Sequence, residues 1–203
     1  MKIIFICTKS VTFNTFLKSQ AEYFVKRGFK VLVACSDSEK LNFKNDLTYK
    51  INFPKTIIEL FNVFNYFKIF IQIRKLVNEN SSGIYYLHTP LASHLFRFFN
   101  YFNKIKIIYF VHGFRFTLQT NKWKNFFFKT IEKILSYKTN IFITINNHDF
   151  NYAKSNFNKK ASCYKINGVG LHIPLSYFKN KIRNKKEIKK ILVIAAYKKE
   201  KGY

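Results

Sequence analysis

Short apolar runs at residues 2–7, 30–35, 48–53, 84–87, 106–111, 140–145 and 162–166 alternate with longer segments whose apolar residues recur at helical spacing. This alternation constrains the fold more than any other feature, because strand–helix repetition builds βα units. Most of the runs, such as IIFI at 3–6 and IIYFV at 107–111, carry no polar interruption. Unbroken runs suit strands covered on both faces and hence a parallel sheet, since a half-exposed antiparallel strand would alternate with polar residues. The expected fold class is therefore α/β, a parallel sheet with helices on both faces.

Among the intervening helices, Asn14 is expected to cap one whose apolar positions Phe16, Leu17, Ala21, Phe24 and Val25 share a face, with Gly28 taking the left-handed conformation at its end. Later helices are expected at 56–78, 91–103, 121–137 and 147–157, the last opened by Asn147 with Asp149 in its first turn. Beyond Ile166 the texture changes: Asn167, Gly168 and Gly170 make a loop, a basic stretch follows, and 191–196 reads as one more buried strand with no helix after it. The organisation expected is a domain over 1–178, a basic linker over 179–190, and the opening of a second, missing βα domain over 191–203.

The 203 residues hold 36 Lys and Arg against 10 Asp and Glu, a net charge of +26 that draws a protein toward nucleic acid, anionic lipid or a phosphorylated substrate. The 25 Phe and 13 Tyr partly reflect the coding bias of an AT-rich genome. Cys7, Cys35 and Cys163 show no C-x-x-C pairing, which suggests neither a disulfide framework nor a zinc site and fits a reducing cytosol. The N-terminal MKIIFICTKS reads as a first strand, not a leader. The most hydrophobic region, 57–77, is broken by seven polar or charged residues, so a spanning helix is not expected.

In an open parallel sheet, ligands sit beyond the carboxyl ends of the strands. The residues at those tips are polar here: His88-Thr89-Pro90, His112-Gly113-Phe114-Arg115-Phe116, Asn146-Asn147-His148-Asp149 and Asn167-Gly168-Val169-Gly170. His88 and His112 would face one ligand if their strands are neighbours; each would equally serve as a packed strand end. Gly113 next to His112 permits a sharp turn or a close approach by a ligand and favours a functional reading there. His94 and His172 read as structural. No carboxylate or thiol stands near the histidines at metal-ligand spacing, and neither a G-x-S-x-G elbow nor a phosphate loop is found. The first strand leads into CTKSVTFNTF, which lacks the glycines of a dinucleotide fingerprint.

Taken in order, FICTKSVTFNTFLKSQAEYFVKRGFKVLVAC, YYLHTP, IIYFVHGFRF, IFITINNHDFNYAKSNF and YKINGVGLHI resemble the N-terminal domain of family-4 retaining glycosyltransferases of the GT-B fold, in the branch that builds bacterial capsules, exopolysaccharides and O-antigens. The tail ILVIAAYKKEKGY is similar to the start of that family's C-terminal domain. The resemblance implies two Rossmann-like domains facing across a cleft, with the acceptor held by the N-terminal one and the nucleotide-sugar by the other. It implies that His112 reaches the transferred sugar as the catalytic residue. It further implies that Asn14, His88, Thr89, Gly113, Phe114, Arg115, Asn146, Asp149, Gly168 and Gly170 border the acceptor cleft and that Lys201 meets the donor diphosphate. Arg115 stands where the branch usually has a second histidine, and Ala196 where it usually has a diphosphate-binding arginine. No metal or other cofactor is implied; the nucleotide-sugar is a co-substrate.

The resemblance also implies a lipid-linked glycan acceptor at the inner face of the cytoplasmic membrane. Independently, the helical segments 61–75, 91–106 and 122–138 mix Phe, Tyr and Trp with Lys and Arg, the composition of a surface lying on anionic lipid. Two alternatives are kept. One is a non-catalytic membrane-docking subunit whose donor-binding half is encoded separately. The other, with less support, is a basic nucleic-acid-binding protein, for which no recognised binding motif is present.

Overall fold

A computed structural model describes residues 1–43, 47–54, 59, 61–116 and 121–169. The expected linker and second-domain strand, with Gly170, His172, Ala196 and Lys201, lie outside the described residues. Seven parallel strands, β1 (Lys2–Ile6), β2 (Lys30–Cys35), β3 (Thr48–Lys50), β4 (Ile84–Leu87), β5 (Lys106–Val111), β6 (Ile141–Thr144) and β7 (Ser162–Lys165), form one sheet in the order β3-β2-β1-β4-β5-β6-β7. This is the Rossmann-like α/β arrangement, with the order reversing between β1 and β4. The register sets Ile4 beside Leu32 on one side and Tyr85 on the other.

Burial on both faces explains the unbroken apolar runs. Ile4, Ile6, Tyr85, Leu87, Tyr109 and Val111 point into one core, and Ile3, Phe5, Cys7, Val33, Tyr86 and Phe110 into the other. The first core is covered by α2 (Val63–Glu79), α3 (Pro90–Phe99) and α5 (Asn147–Asn156), through residues such as Ile73, Phe96 and Ala153. The fold's α4 (Lys122–Ser136) packs beside α3 and contributes Phe128 to the same side. The second core is covered by α1, an unbroken helical stretch made of Ser10–Thr12, a π-helical turn at Phe13–Leu17 and Lys18–Lys26, which buries Phe13, Leu17 and Ala21.

Four elements depart from expectation by more than a residue. Helix α1 begins at Ser10, not after Asn14: the Asp37 carboxylate accepts from the Ser10 N–H at 2.7 Å and caps the helix from the neighbouring strand end. Asn14 instead lies in the π-helical turn, where its side chain donates to the Lys40 carbonyl and accepts from the Asn42 N–H, both at 2.9 Å. Strand β3 stops at Lys50 because the Phe53 N–H turns back to the Ile51 carbonyl at 2.7 Å, driving Ile51 and Phe53 into the core. Helix α3 ends at Phe99 because the Asn100 side chain turns back to the Phe96 carbonyl and supports Asn103 in a following turn. Helix α2 starts at Val63 on an Asn62 cap; most of its expected first turns, residues 55–58 and 60, lie outside the described residues.

Gly83, just before β4, is required by packing. A Cβ there would sit 2.3 Å from the Ile4 Cδ1 and 3.0 Å from the Asn80 carbonyl oxygen. Gly83→Ala is expected to lower stability by about 1–3 kcal/mol, read as a drop in the urea midpoint with an unchanged slope.

Candidate active site

The sheet order reverses between β1 and β4, the place at which open α/β sheets take their ligands, and hydroxyls bind those two strand tips together. The Thr8 and Thr89 hydroxyls lie 2.8 Å apart, the Thr8 N–H donates to the Thr89 hydroxyl at 3.1 Å, and the Ser36 hydroxyl donates to the Thr8 carbonyl at 2.6 Å. Thr89 has φ 66°, and among the described residues it is the only non-glycine with positive φ. A β-branched residue held there stores roughly 1–3 kcal/mol of strain, of the kind that clusters at ligand sites. Its hydroxyl is committed to Thr8, so Thr89 ties the tip of β4 to the tip of β1.

His88 and His112 come from β4 and β5, which are neighbours, and their rings meet: His88 Nδ1 lies 3.2 Å from His112 Nε2. The expectation that both would face a ligand is corrected in one respect. His88 is fully buried, stacked on Phe5 at 5.8 Å and on Phe110 at 5.4 Å, whereas His112 is half-buried above it. Burial, reinforced by the neighbouring His112, holds the pKa of His88 well below the ordinary 6.5, and burial also lowers that of His112. Both rings are therefore neutral at pH 7, one donating and one accepting.

The unpartnered atom decides which ring donates. His88 Nε2 is buried with no hydrogen-bond partner. Were the proton on that atom, a buried N–H would be orphaned, the costlier and rarer arrangement. The proton is thus placed on His88 Nδ1, donating to His112 Nε2. His112 must then carry its own proton on Nδ1, which makes it a neutral N–H donor.

The other tip residues hold loops. Helix α5 opens at Asn147 with Asp149 in its first turn, as expected, and Asn146 caps it, accepting from the Asp149 N–H at 2.8 Å while its amide donates to the Asp149 carboxylate at 2.8 Å. The same carboxylate accepts from the Phe114 N–H at 3.4 Å, tying the loop after β5 to the tip of β6. Asp149 is buried, so this pair positions the segment following His112. Phe114 is likewise buried, stacked on Phe116 at 4.9 Å, and belongs to the core rather than to a cleft wall. Arg115 is exposed over the Phe128 ring at 5.8 Å. Gly113 and Gly168 have φ of 125° and 126° with open space where a Cβ would be, so both serve the backbone turn. Asn14 engages both ends of its amide with the loop after β2, as described above.

Sequence reasoning missed a buried ionic cluster. Glu132 of α4 accepts from Arg97 of α3 at 2.9 Å, lies 2.8 Å from His94 Nε2 and 3.3 Å from the Tyr109 hydroxyl, and Arg97 stacks over the Tyr109 ring at 4.2 Å. Burial alone would raise the Glu132 pKa, but the Arg97 charge and the bonds from His94 and Arg97 outweigh it and bring it to about 2. The signal was present: Glu132 interrupts an apolar helix face, and Arg97 sits inside the run LFRFF. The structural reading of His94 agrees with this cluster.

A seven-stranded parallel Rossmann-like sheet whose order reverses between β1 and β4 is the architecture of the N-terminal half of GT-B enzymes. A family described as "Glycosyl transferase 4-like" matches residues 2–146, and the chain belongs to that family. EpsD of Bacillus subtilis (strain 168), which carries a glycosyltransferase name, is 26% identical over 174 residues, 84% of this chain and 44% of EpsD. A 41.2 kDa protein of the cps region of Klebsiella pneumoniae is 28% identical over 152 residues, 70% of this chain and 42% of that one. The chain thus spans less than half the length of these relatives. Among solved structures, a sucrose-phosphate synthase from Thermosynechococcus elongatus superposes with a TM-score of 0.62 at 9% identity, over 82% of this chain and 47% of that one. A UDP-N-acetylglucosamine 2-epimerase from Listeria monocytogenes gives 0.57 at 14% identity, over 80% and 43%. At such identities these two speak for the fold alone.

Proposed function

We propose that this domain is the acceptor side of a retaining glycosyltransferase that moves a sugar from a nucleotide-sugar to a lipid-linked glycan at the inner face of the cytoplasmic membrane. The observation that supports the reading is His112, a half-buried neutral ring at the tip of β5 that meets the buried His88 at 3.2 Å and is followed by the Gly113 turn. In this reading His112 touches the transferred sugar, and Asn146 and Asp149 hold the wall that follows it. Lys201 meets the donor diphosphate; Gly168 and Gly170 border the cleft. Because the chain spans less than half the length of its curated relatives, these 203 residues tested alone are expected not to turn over a nucleotide-sugar. Turnover by the purified chain would overturn its assignment as the acceptor half.

The membrane part of the reading is supported by the surface of α2, α3 and α4. Phe61, Phe64 and Trp123 are each more than 80% exposed, and Phe67, Phe98 and Phe126 about two-thirds exposed. Exposed apolar surface of this extent marks an interaction site. These aromatics alternate with Lys68, Arg74, Lys122, Lys124, Lys129 and Lys133, while the acids on the three helices are Glu79, paired with Lys75, and the buried Glu132. Among the described residues no helix is long and apolar enough to cross a membrane, so attachment through these helices would be peripheral.

The sole tryptophan, Trp123, makes this measurable. Its emission is expected to shift to the blue with phosphatidylglycerol vesicles and not with neutral phosphatidylcholine ones, with the shift weakened by salt. Each lysine of α4 changed to alanine is expected to weaken vesicle binding about fivefold, the equivalent of roughly 1 kcal/mol per charge near the lipid. Retention on a nucleic acid column at physiological salt with no vesicle binding would favour the nucleic-acid alternative instead.

A further inference from the structure

A groove of about 480 Å³ runs between α3 and α4, roofed by Tyr66 of α2 and lined by Leu95, Phe98, Ile131, Ile134 and the ring of His94. Its exposed lining is apolar throughout, and its volume falls within the range of small-ligand sites. His94 contributes only its apolar ring surface, because Nε2 is turned inward to Glu132 at 2.8 Å. The ionic cluster beneath fixes the spacing of the two helices that form the walls: Arg97 and His94 of α3 both hold Glu132 of α4. A groove with rigid walls stays open instead of collapsing on its own side chains.

We infer that this groove holds the isoprenoid chain of the lipid-linked acceptor. The inference rests on the membrane reading above and adds to it a defined seat for one chain. Two observations select this occupant. The first is continuity with the strand tips at which the proposed acceptor site lies: α3 starts directly after Thr89 beyond β4, and at 1.5 Å per residue it reaches Leu95 and Phe98 after about 9–14 Å. One lipid can therefore keep its polar head at those tips and its tail along the same helix. The second is charge complementarity. Lys124, Lys129 and Lys133 are carried by the groove-forming α4, and the acids nearby are neutralised in pairs, so the anionic head of a lipid is attracted while its chain finds apolar surface.

The test uses the full chain and two photoreactive probes, each with a diazirine on its hydrocarbon: farnesyl monophosphate below its micellar concentration, and phosphatidylglycerol in vesicles. Adducts are located by peptide mass spectrometry. Farnesyl adducts are expected at Leu95, Phe98, Ile131 and Ile134, and phospholipid adducts on the outer aromatics such as Phe64 and Phe126. Ile134→Phe, which fills the slot from a half-exposed position, is expected to reduce farnesyl labelling about tenfold by excluding several methylenes. The vesicle-induced shift of Trp123 should be unchanged in that variant. Ile134→Asp should lower labelling equally, and an unaltered circular dichroism melt certifies the fold of both. Phospholipid chains labelling the groove as strongly as farnesyl would overturn the assignment to the acceptor, as would farnesyl labelling that both variants leave intact. Loss of groove labelling with a preserved Trp123 shift in the unaltered chain overturns the groove alone. Absence of both signals overturns the membrane reading with it.

Discussion

Arg97→Met is expected to remove about 3–5 kcal/mol of stability, the largest effect of any single change considered, because it leaves the Glu132 carboxylate buried with its strongest counter-charge gone. Methionine keeps most of the volume and the contact with Tyr109, so the loss reports charge and not a cavity. The pH dependence has a definite sign. The folded-state pKa of Glu132, about 2, lies below the ordinary 4.5, so its contribution is fully present above 4.5 and is lost as pH falls toward 2. That contribution is on the order of 3 kcal/mol. Glu132→Gln should abolish this acid-dependent portion, leaving a flatter stability profile between pH 5 and pH 2. Pairing Arg97→Met with Glu132→Leu is expected to recover most of the loss, since an apolar pair can replace a buried ionic one. Urea midpoints at pH 7 and pH 3 for the four proteins check all of these outcomes. Equal midpoints for Arg97→Met and the unaltered chain would show that the cluster contributes nothing.

His88→Phe is expected to separate stability from site chemistry. The variant keeps a ring between Phe5 and Phe110, removes the unpartnered buried Nε2 and gives up one hydrogen bond, changes that offset to within about 1 kcal/mol. The effect on His112 is large. Its Nε2 loses the donor that forces the proton to Nδ1, and the ring becomes free to adopt the other tautomer. Long-range nitrogen–proton correlation spectra should show His112 as the Nδ1–H form in the unaltered protein and as a mixture in the variant. A His112 signature that does not change between the two would mean that His88 is packing only. Acid behaviour distinguishes the pair from Glu132. Both histidines have folded-state pKa values lowered from 6.5, so the unfolded chain takes up protons first and stability declines as pH drops below 6.5. His88→Phe should shrink that decline while leaving the decline below pH 4.5 untouched.

Which residues become strands and which helices was decided locally. The bounds read for β2, β4 and β5 agree residue for residue with the structure, because a strand buried on both faces must be apolar at every position and a run of that kind announces its own ends. The polar strand tips were legible for the same reason: the apolar run stops where the sheet does. Parallel order followed from the alternation.

What required the tertiary structure was every feature set by residues distant in the chain. The cap of α1 comes from Asp37, 27 residues after Ser10, so Asn14 was the nearer and mistaken candidate. Phe110 packs on both histidines, but His88 is also enclosed by Phe5 of β1 and by Tyr86, and no local pattern records that enclosure. Arg97 and Glu132 stand 35 residues apart and each reads as an ordinary charge on a helix until α3 and α4 pack side by side. The groove between those helices belongs to neither alone. Periodicity and apolar run length are properties of a segment, and the sequence carries them whole. Enclosure, charge pairing and the tautomer of a ring depend on what the fold brings against that segment, and only the packed molecule decides them.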